Sequence, residues 1–169
     1  MRANEIYDVI EEIPVPSGQE VQILPAQTAF NGEALSLLPE SDQEKFTDSE
    51  VRSVRIDGDE LVFAIESKQP LEGDAHAKVW TLGYRADTPF GEMPKIYLDL
   101  SQNGYKIYNQ GKELPLDSLT VRGTPTRNEV HVPLELLGNP ERLLVSAQTS
   151  IRGVPLDNIP WVYLILNQP

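Results

Sequence analysis

The chain has 169 residues, 40% of them hydrophobic, no cysteine and a formal net charge of −12. That length suits one domain able to bury a core without staples, and lack of cysteine removes disulfides, thiolate zinc sites and cysteine nucleophiles. A surface this acidic, with no basic cluster, argues against nucleic acid and anionic lipid, and leaves neutral ligands, basic partners and hard cations such as calcium. Apolar runs fall far short of a membrane span, so no membrane insertion is expected. The opening residues Met1 to Asp8 lack the apolar core of a secretory signal, which fits a cytosolic protein or a mature or excised domain.

Residues 1–50 read as an opening lobe and residues 51–166 as the body of a single domain. Ile6, Val9, Ile10 and Ile13 have helix-like spacing, which Pro14 and Pro16 would end. Glu20 to Leu24 alternates like a short strand, Asn31-Gly32 signals a turn, and Ser41 with Glu44 could cap one helical turn. From Val51 the pattern is strand, turn, strand. Val51 to Ile56, an acidic turn around Gly58, and Leu61 to Glu66 form a hairpin that sets Val54, Ile56, Leu61, Phe63 and Ile65 on one face. Further strands are read at Ala77–Tyr84, Lys95–Leu100, Tyr105–Tyr108, Ser118–Arg122, Glu129–Val132, Arg142–Thr149 and Trp161–Leu166. Turns at Gly111, Gly123-Thr-Pro125, Gly138-Asn-Pro140 and Gly153-Val-Pro155 separate them, and most of the fourteen prolines fall between strands. Pro133 to Gly138 reads as one helical turn, started by proline and ended by glycine. The expectation is an all-β, antiparallel two-sheet β-sandwich with minor helical turns, with Leu98 and Val132 joining the hairpin residues in the core.

Phe46 to Ile65 has a variable strand, an acidic turn and a Leu-x-Phe strand. Ile96 to Asp99 is a strand ending on aspartate, and Val130 to Gly138 is a strand followed by a proline-started turn. In this order the three stretches resemble the family-nine carbohydrate-binding modules and the wider DOMON-like β-sandwich group. The resemblance covers roughly residues 46 to 166. It implies an extracytoplasmic, non-catalytic sandwich that binds sugar or a cofactor. Only Trp80 and Trp161 are available for that family's paired-tryptophan sugar clamp.

Sugars stack their C–H faces on aromatic rings while neighbouring polar groups bond the hydroxyls. Trp80 and Tyr84, with Arg85 or the nearby Tyr97 and Asp99, could supply that set. One face of the Ala77–Tyr84 strand carries Lys78, Trp80, Leu82 and Tyr84, with His76 just before it. Leu82 between the two aromatics argues that this face is buried, so Trp80 is either core or ligand contact. Asp99, Ser101 and Asn103, at alternate positions before Gly104, resemble the first half of a calcium loop, although a hairpin turn at Asn103-Gly104 accounts for the same residues. Calcium is the one metal these residues suggest. Haem, held in some DOMON-like sandwiches between methionine and histidine, would need Met93, which sits in a loop segment. Two histidines, no nucleophile elbow and no phosphate loop give little to an enzyme. Three functions remain in order: a carbohydrate-binding module, a structural or protein-interaction sandwich without a small ligand, and a glycoside-processing enzyme.

Overall fold

Alternation of apolar and polar residues, punctuated by glycine and proline, folds into strands almost throughout. A computed structural model describes residues 11–23, 29–30, 36–40, 50–66 and 73–167. Thirteen strands lie among them: β1 (Glu11–Pro16), β2 (Val21–Gln22), β3 (Ala29–Phe30), β4 (Glu50–Asp57), β5 (Glu60–Glu66), β6 (Ala75–Tyr84), β7 (Ile96–Ser101), β8 (Gly104–Asn109), β9 (Lys112–Glu113), β10 (Thr120–Thr124), β11 (Arg127–Pro133), β12 (Arg142–Ile151) and β13 (Val154–Asn167). The larger sheet runs β1-β13-β12-β6-β7-β8-β9, with β3 also on β13, and the smaller runs β10-β11-β5-β4-β2. Short 3-10 turns at Phe90–Glu92 and Leu116–Ser118 are minor helical features. No helix among the described residues is long and apolar enough to cross a membrane.

The hairpin β4–β5 takes the register in which Asp57 pairs with Glu60. Gly58 holds φ 61° at the first of two loop positions, the glycine placement a II′ hairpin requires. Val54, Ile56, Leu61, Phe63 and Ile65 are all buried, and Leu98 and Val132 meet them in one core with Val79, Ile107, Val130, Leu143, Val145 and Leu164. The strand β5 is buried on its other side too, at Val62 and Ala64. That outer side is covered by long charged residues. Arg55 donates to both carboxylate oxygens of Glu129 (3.0 and 3.1 Å), Arg127 pairs with Glu20 and Glu66, and Ser53 donates to Glu20 at 2.7 Å. Hydrogen bonding to Arg55 lowers the Glu129 carboxyl, and hydrogen bonds from Ser53 and then Arg127 lower that of Glu20. His131 points to this side, as its place between Val130 and Val132 predicts, with Glu60 and Glu129 each 3.5 Å from a ring nitrogen.

The sandwich departs from the sequence reading in three places. Glu11–Pro16 is a strand, and it runs parallel to β13, pairing Glu11 with Val162 through Pro16 with Asn167. Ile13 and Val15 are buried, while Pro14 and Pro16, two residues apart on an edge strand, direct their missing N–H groups to the same side. The next residues cross to the smaller sheet, where the Gly18 N–H donates to the Ile56 carbonyl at 2.9 Å. Second, β13 begins at Val154, seven residues before the expected start, because two register shifts against β12 absorb Pro155 and Pro160. Third, Gly123 and Thr124 of the expected Gly123–Pro125 turn belong to the strand, and the turn to β11 falls at Pro125-Thr126. Pro133 to Asn139 forms successive tight turns, with Gly138 at φ 80°. The turn expected at Asn31-Gly32, the cap at Ser41 and the helical spacing of Ile6 to Ile10 lie outside the described residues.

Candidate functional site

The central strand β6 is built with its bulk outward. Ala75, Ala77, Val79, Thr81 and Gly83 face the core and are buried, whereas His76, Lys78, Trp80, Leu82 and Tyr84 lie on the outer face, half-buried or exposed. The expectation that Leu82 marks a core face is therefore overturned. Apolar residues occupy both sides of this strand, the smaller ones inside, and at Gly83 the Pro133–Asn139 turns leave no depth for a side chain. Gly83 sets the limit: a Cβ on it would drive into the backbone of Leu137.

Register then assembles the outer face in rows. Trp80 pairs with Tyr97 on β7, and Tyr97 with Tyr108 on β8. Their rings stack in sequence, with centroids 5.3 and 5.6 Å apart and planes inclined by 21° and 24°. These separations are close to the roughly 4.8 Å between neighbouring strands and too short for rings lying side by side, so the rings overlap like tiles. Both neighbours cover parts of Tyr97, while Trp80, half-buried at the end of the stack, borders β12, where the facing Ser146 is buried. The residue opposite Trp80 there is the small Ser146, and the register shift beyond it brings Trp161, 45% exposed, to the next strand. Two tryptophans thus flank one serine, about two strand spacings (~9.6 Å) apart.

Two residues along, the next row reads Gln148, Lys78, Asp99, Lys106 across β12, β6, β7 and β8. Asp99 is held from two sides: His76 Nδ1 lies 2.5 Å from one oxygen and the Tyr97 hydroxyl 3.5 Å from the other. Burial, followed by the adjacent Asp99 carboxylate, pushes the Tyr97 phenol up to about 12. A small cleft of about 160 Å³ opens beside this row between His76, Asp99, Ser101, Asn103 and Lys106.

Of the residues expected to touch a ligand, Trp80 and Tyr97 form the centre of the platform. Tyr84 is 37% exposed at the far end of the same strand face. Arg85 is engaged elsewhere: its guanidinium grips Asp87 through two 2.8 Å bonds and donates to the Asn139 carbonyl at 3.0 Å. Asp99, Ser101 and Asn103, the calcium candidates, line the cleft together, but they provide one carboxylate, already bonded to His76. Ser101 Oγ accepts the Asn103 N–H at 3.3 Å, and the chain reverses at Gln102-Asn103 before Gly104. No cluster of three metal-ligating side chains occurs among the described residues. Met93 packs in the loop before β7 with its side chain buried.

Tyr108, Lys78 and Lys106 complete the face and were not singled out as ligand contacts by sequence. Their signal was the alternation of Tyr108 with the buried Ile107, which only register turns into adjacency. A third row carries Ser150 opposite His76, so serine, histidine and aspartate occur in the order of a hydrolytic triad. The geometry differs: Ser150 is 3% exposed and its Oγ makes no hydrogen bond, so the nucleophile-to-base contact of a triad is missing. Comparison with models of known families, with curated proteins and with solved structures returned no match.

Proposed function

We propose that this protein is a non-catalytic carbohydrate-binding module whose platform is the outer face of β6, β7 and β8. The observation that carries the reading is the outward-facing ladder Trp80–Tyr97–Tyr108, with a second, exposed tryptophan, Trp161, beyond Ser146. A strand that turns alanine and valine inward and tryptophan outward keeps apolar surface in water, where it is useful only for contact with something else. Stacked rings offer surfaces for sugar C–H groups, and Asp99 and Gln148 two residues away offer partners for hydroxyls. The three stretches that resemble family-nine carbohydrate-binding modules support the same reading, with Trp80 and Trp161 as the pair available for a clamp.

The test is Trp80→Ala, assayed on a glycan array and by thermal melting. Binding should be abolished, with a stability loss of about 1–2 kcal/mol, below the ~3–5 kcal/mol of a fully buried aromatic because Trp80 is only half-buried. Unchanged glycan binding in the variant, or no binding by the native protein, would sink the proposal. A second reading, a protein-interaction sandwich, is favoured by the continuation of the apolar face through Leu82, Leu144, Tyr163 and Ile165, all half-buried on its β12–β13 side. It would be the one left if the native protein ignores glycans.

A further inference from the structure

We infer that this face selects acidic carbohydrates, its lysines Lys78 and Lys106 receiving the carboxylate of a uronic acid unit. The inference rests on the carbohydrate reading above and adds the ligand's charge. In a chain of net charge −12, cations are scarce, and most arginines of known surroundings are spent in ion pairs with the chain's own acids. Lys78 and Lys106 are not. They stand on either side of Asp99 in the row beside the aromatic ladder, and neither is within ion-pair distance of an acid among the described residues.

The single carboxylate between them is turned aside. One oxygen of Asp99 lies 2.5 Å from His76 Nδ1 and the other faces the Tyr97 hydroxyl, so the aspartate is fixed by His76 and Tyr97 instead of by the lysines. The row therefore holds two lysine charges against one aspartate, an excess of one positive charge in that row, while Glu113, opposite Tyr108, adds a carboxylate at the far end of the ladder row. The rings lie two residues away along the strands, about 7 Å, the width of a sugar ring with its exocyclic carboxylate. A pyranose stacked on the ladder would direct a carboxylate at C5 toward one lysine and hydroxyls toward Asp99 and Gln148. A neutral sugar would use the rings and leave the lysines idle.

The experiment titrates the whole chain with a galacturonate oligosaccharide and with its methyl ester, which keeps the stacking faces and removes the charge. The acid should bind about three- to ten-fold more tightly, the worth of one or two surface ion pairs. The double variant Lys78→Gln/Lys106→Gln should erase that preference, and Lys78→Arg/Lys106→Arg should retain it. Circular dichroism and melting of both variants should match the native protein, since neither lysine takes part in an ion pair among the described residues. Equal binding of acid and ester, or a preference that survives the glutamine changes, overturns the inference and leaves a neutral-sugar module standing. Failure of both probes and of neutral glycans to bind overturns this inference and the carbohydrate reading together.

Discussion

Substituting Gly83 by alanine tests whether the inside of β6 is as shallow as its sequence of small residues implies. An ideal Cβ at Gly83 would sit 3.2 Å from the Leu137 carbonyl carbon and 3.6 Å from Pro140 Cβ, with the carbonyl oxygen well inside 3.0 Å. A C=O bond of about 1.2 Å aimed at the strand leaves roughly 2 Å for a contact that needs over 3 Å, so one side must retreat by about 1 Å. Neither side is free to do so. The Gly83 N–H donates to the Pro94 carbonyl at 3.0 Å, and Leu137 is 1% exposed in a turn fixed by the Leu134 N–H on Asp59 and the Asn139 N–H on Leu134. Overpacking against backbone at a central strand should cost about 3 kcal/mol, the upper part of the usual range. At this chain length that is a fall of roughly 6–12 °C in Tm. Urea unfolding should show a lower midpoint with an unchanged slope, the mark of lost stability without a change in compactness. Gly91→Ala is the control, because nothing lies within 4 Å of its would-be Cβ, and it should stay within about 0.5 kcal/mol of native. If Gly83→Ala melts with the control, the account of β6 as a strand turned outward by lack of internal room is refuted.

Acid should destabilise the smaller sheet through Glu129 and Glu20, whose carboxyls are lowered in the fold below their ordinary 4.5. Their contribution is complete above that value and is lost as pH falls through the folded values, so Glu129→Gln should flatten the acid limb of a Tm–pH curve; an unchanged limb would remove Glu129 from the account. At the other extreme the Tyr97 phenol, raised to about 12 from 10, favours the fold fully below pH 10 and loses that preference as pH climbs toward 12. A near-ultraviolet titration should show a late-ionising tyrosine that vanishes in Tyr97→Phe, and persistence of the late step in that variant would contradict the assignment. Millimolar calcium and chelator should give equal Tm, since Asp99 is bonded to His76 and Asn103 belongs to a turn; a rise with calcium would mean that the cleft takes the ion.

Much of the architecture was legible because it is written in local alternation. The β4–β5 hairpin announces itself through Gly58 and five apolar residues of one parity, and all five are buried. What escaped was non-local. Pro14 and Pro16 are helix terminators by their chemistry, but on an edge strand their missing donors are harmless, and only the pairing with β13 reveals Glu11–Pro16 as a strand. Pro155 and Pro160 hid the first half of β13 in the same way, since a bulge tolerates what a regular ladder does not. At the site, Trp80 and Tyr97 could be named because aromatic residues stand out. Their direction could not be read from β6 alone, where both faces are apolar and the deciding quantity is the depth beneath Gly83. Tyr108, Lys78 and Lys106 required the register of three strands before they became neighbours.

The parallel pairing of β1 with β13 also fixes when the larger sheet can be finished. Of the described strands, β1 leaves the ribosome first and its partner last, separated by about the whole length of the chain. Synthesis at ~5–20 residues per second leaves Ile13 and Val15 of β1 waiting about 7–30 seconds for their partner strand. The ordering entropy of that long closure must be met before its contacts reward it, which places the step late and makes folding slow. Until then the exposed edge of β13 and the unpaired β1 are open to the matching strands of another chain. The same topology that closes the sheet in one molecule thus offers a route to exchanging β1 between two.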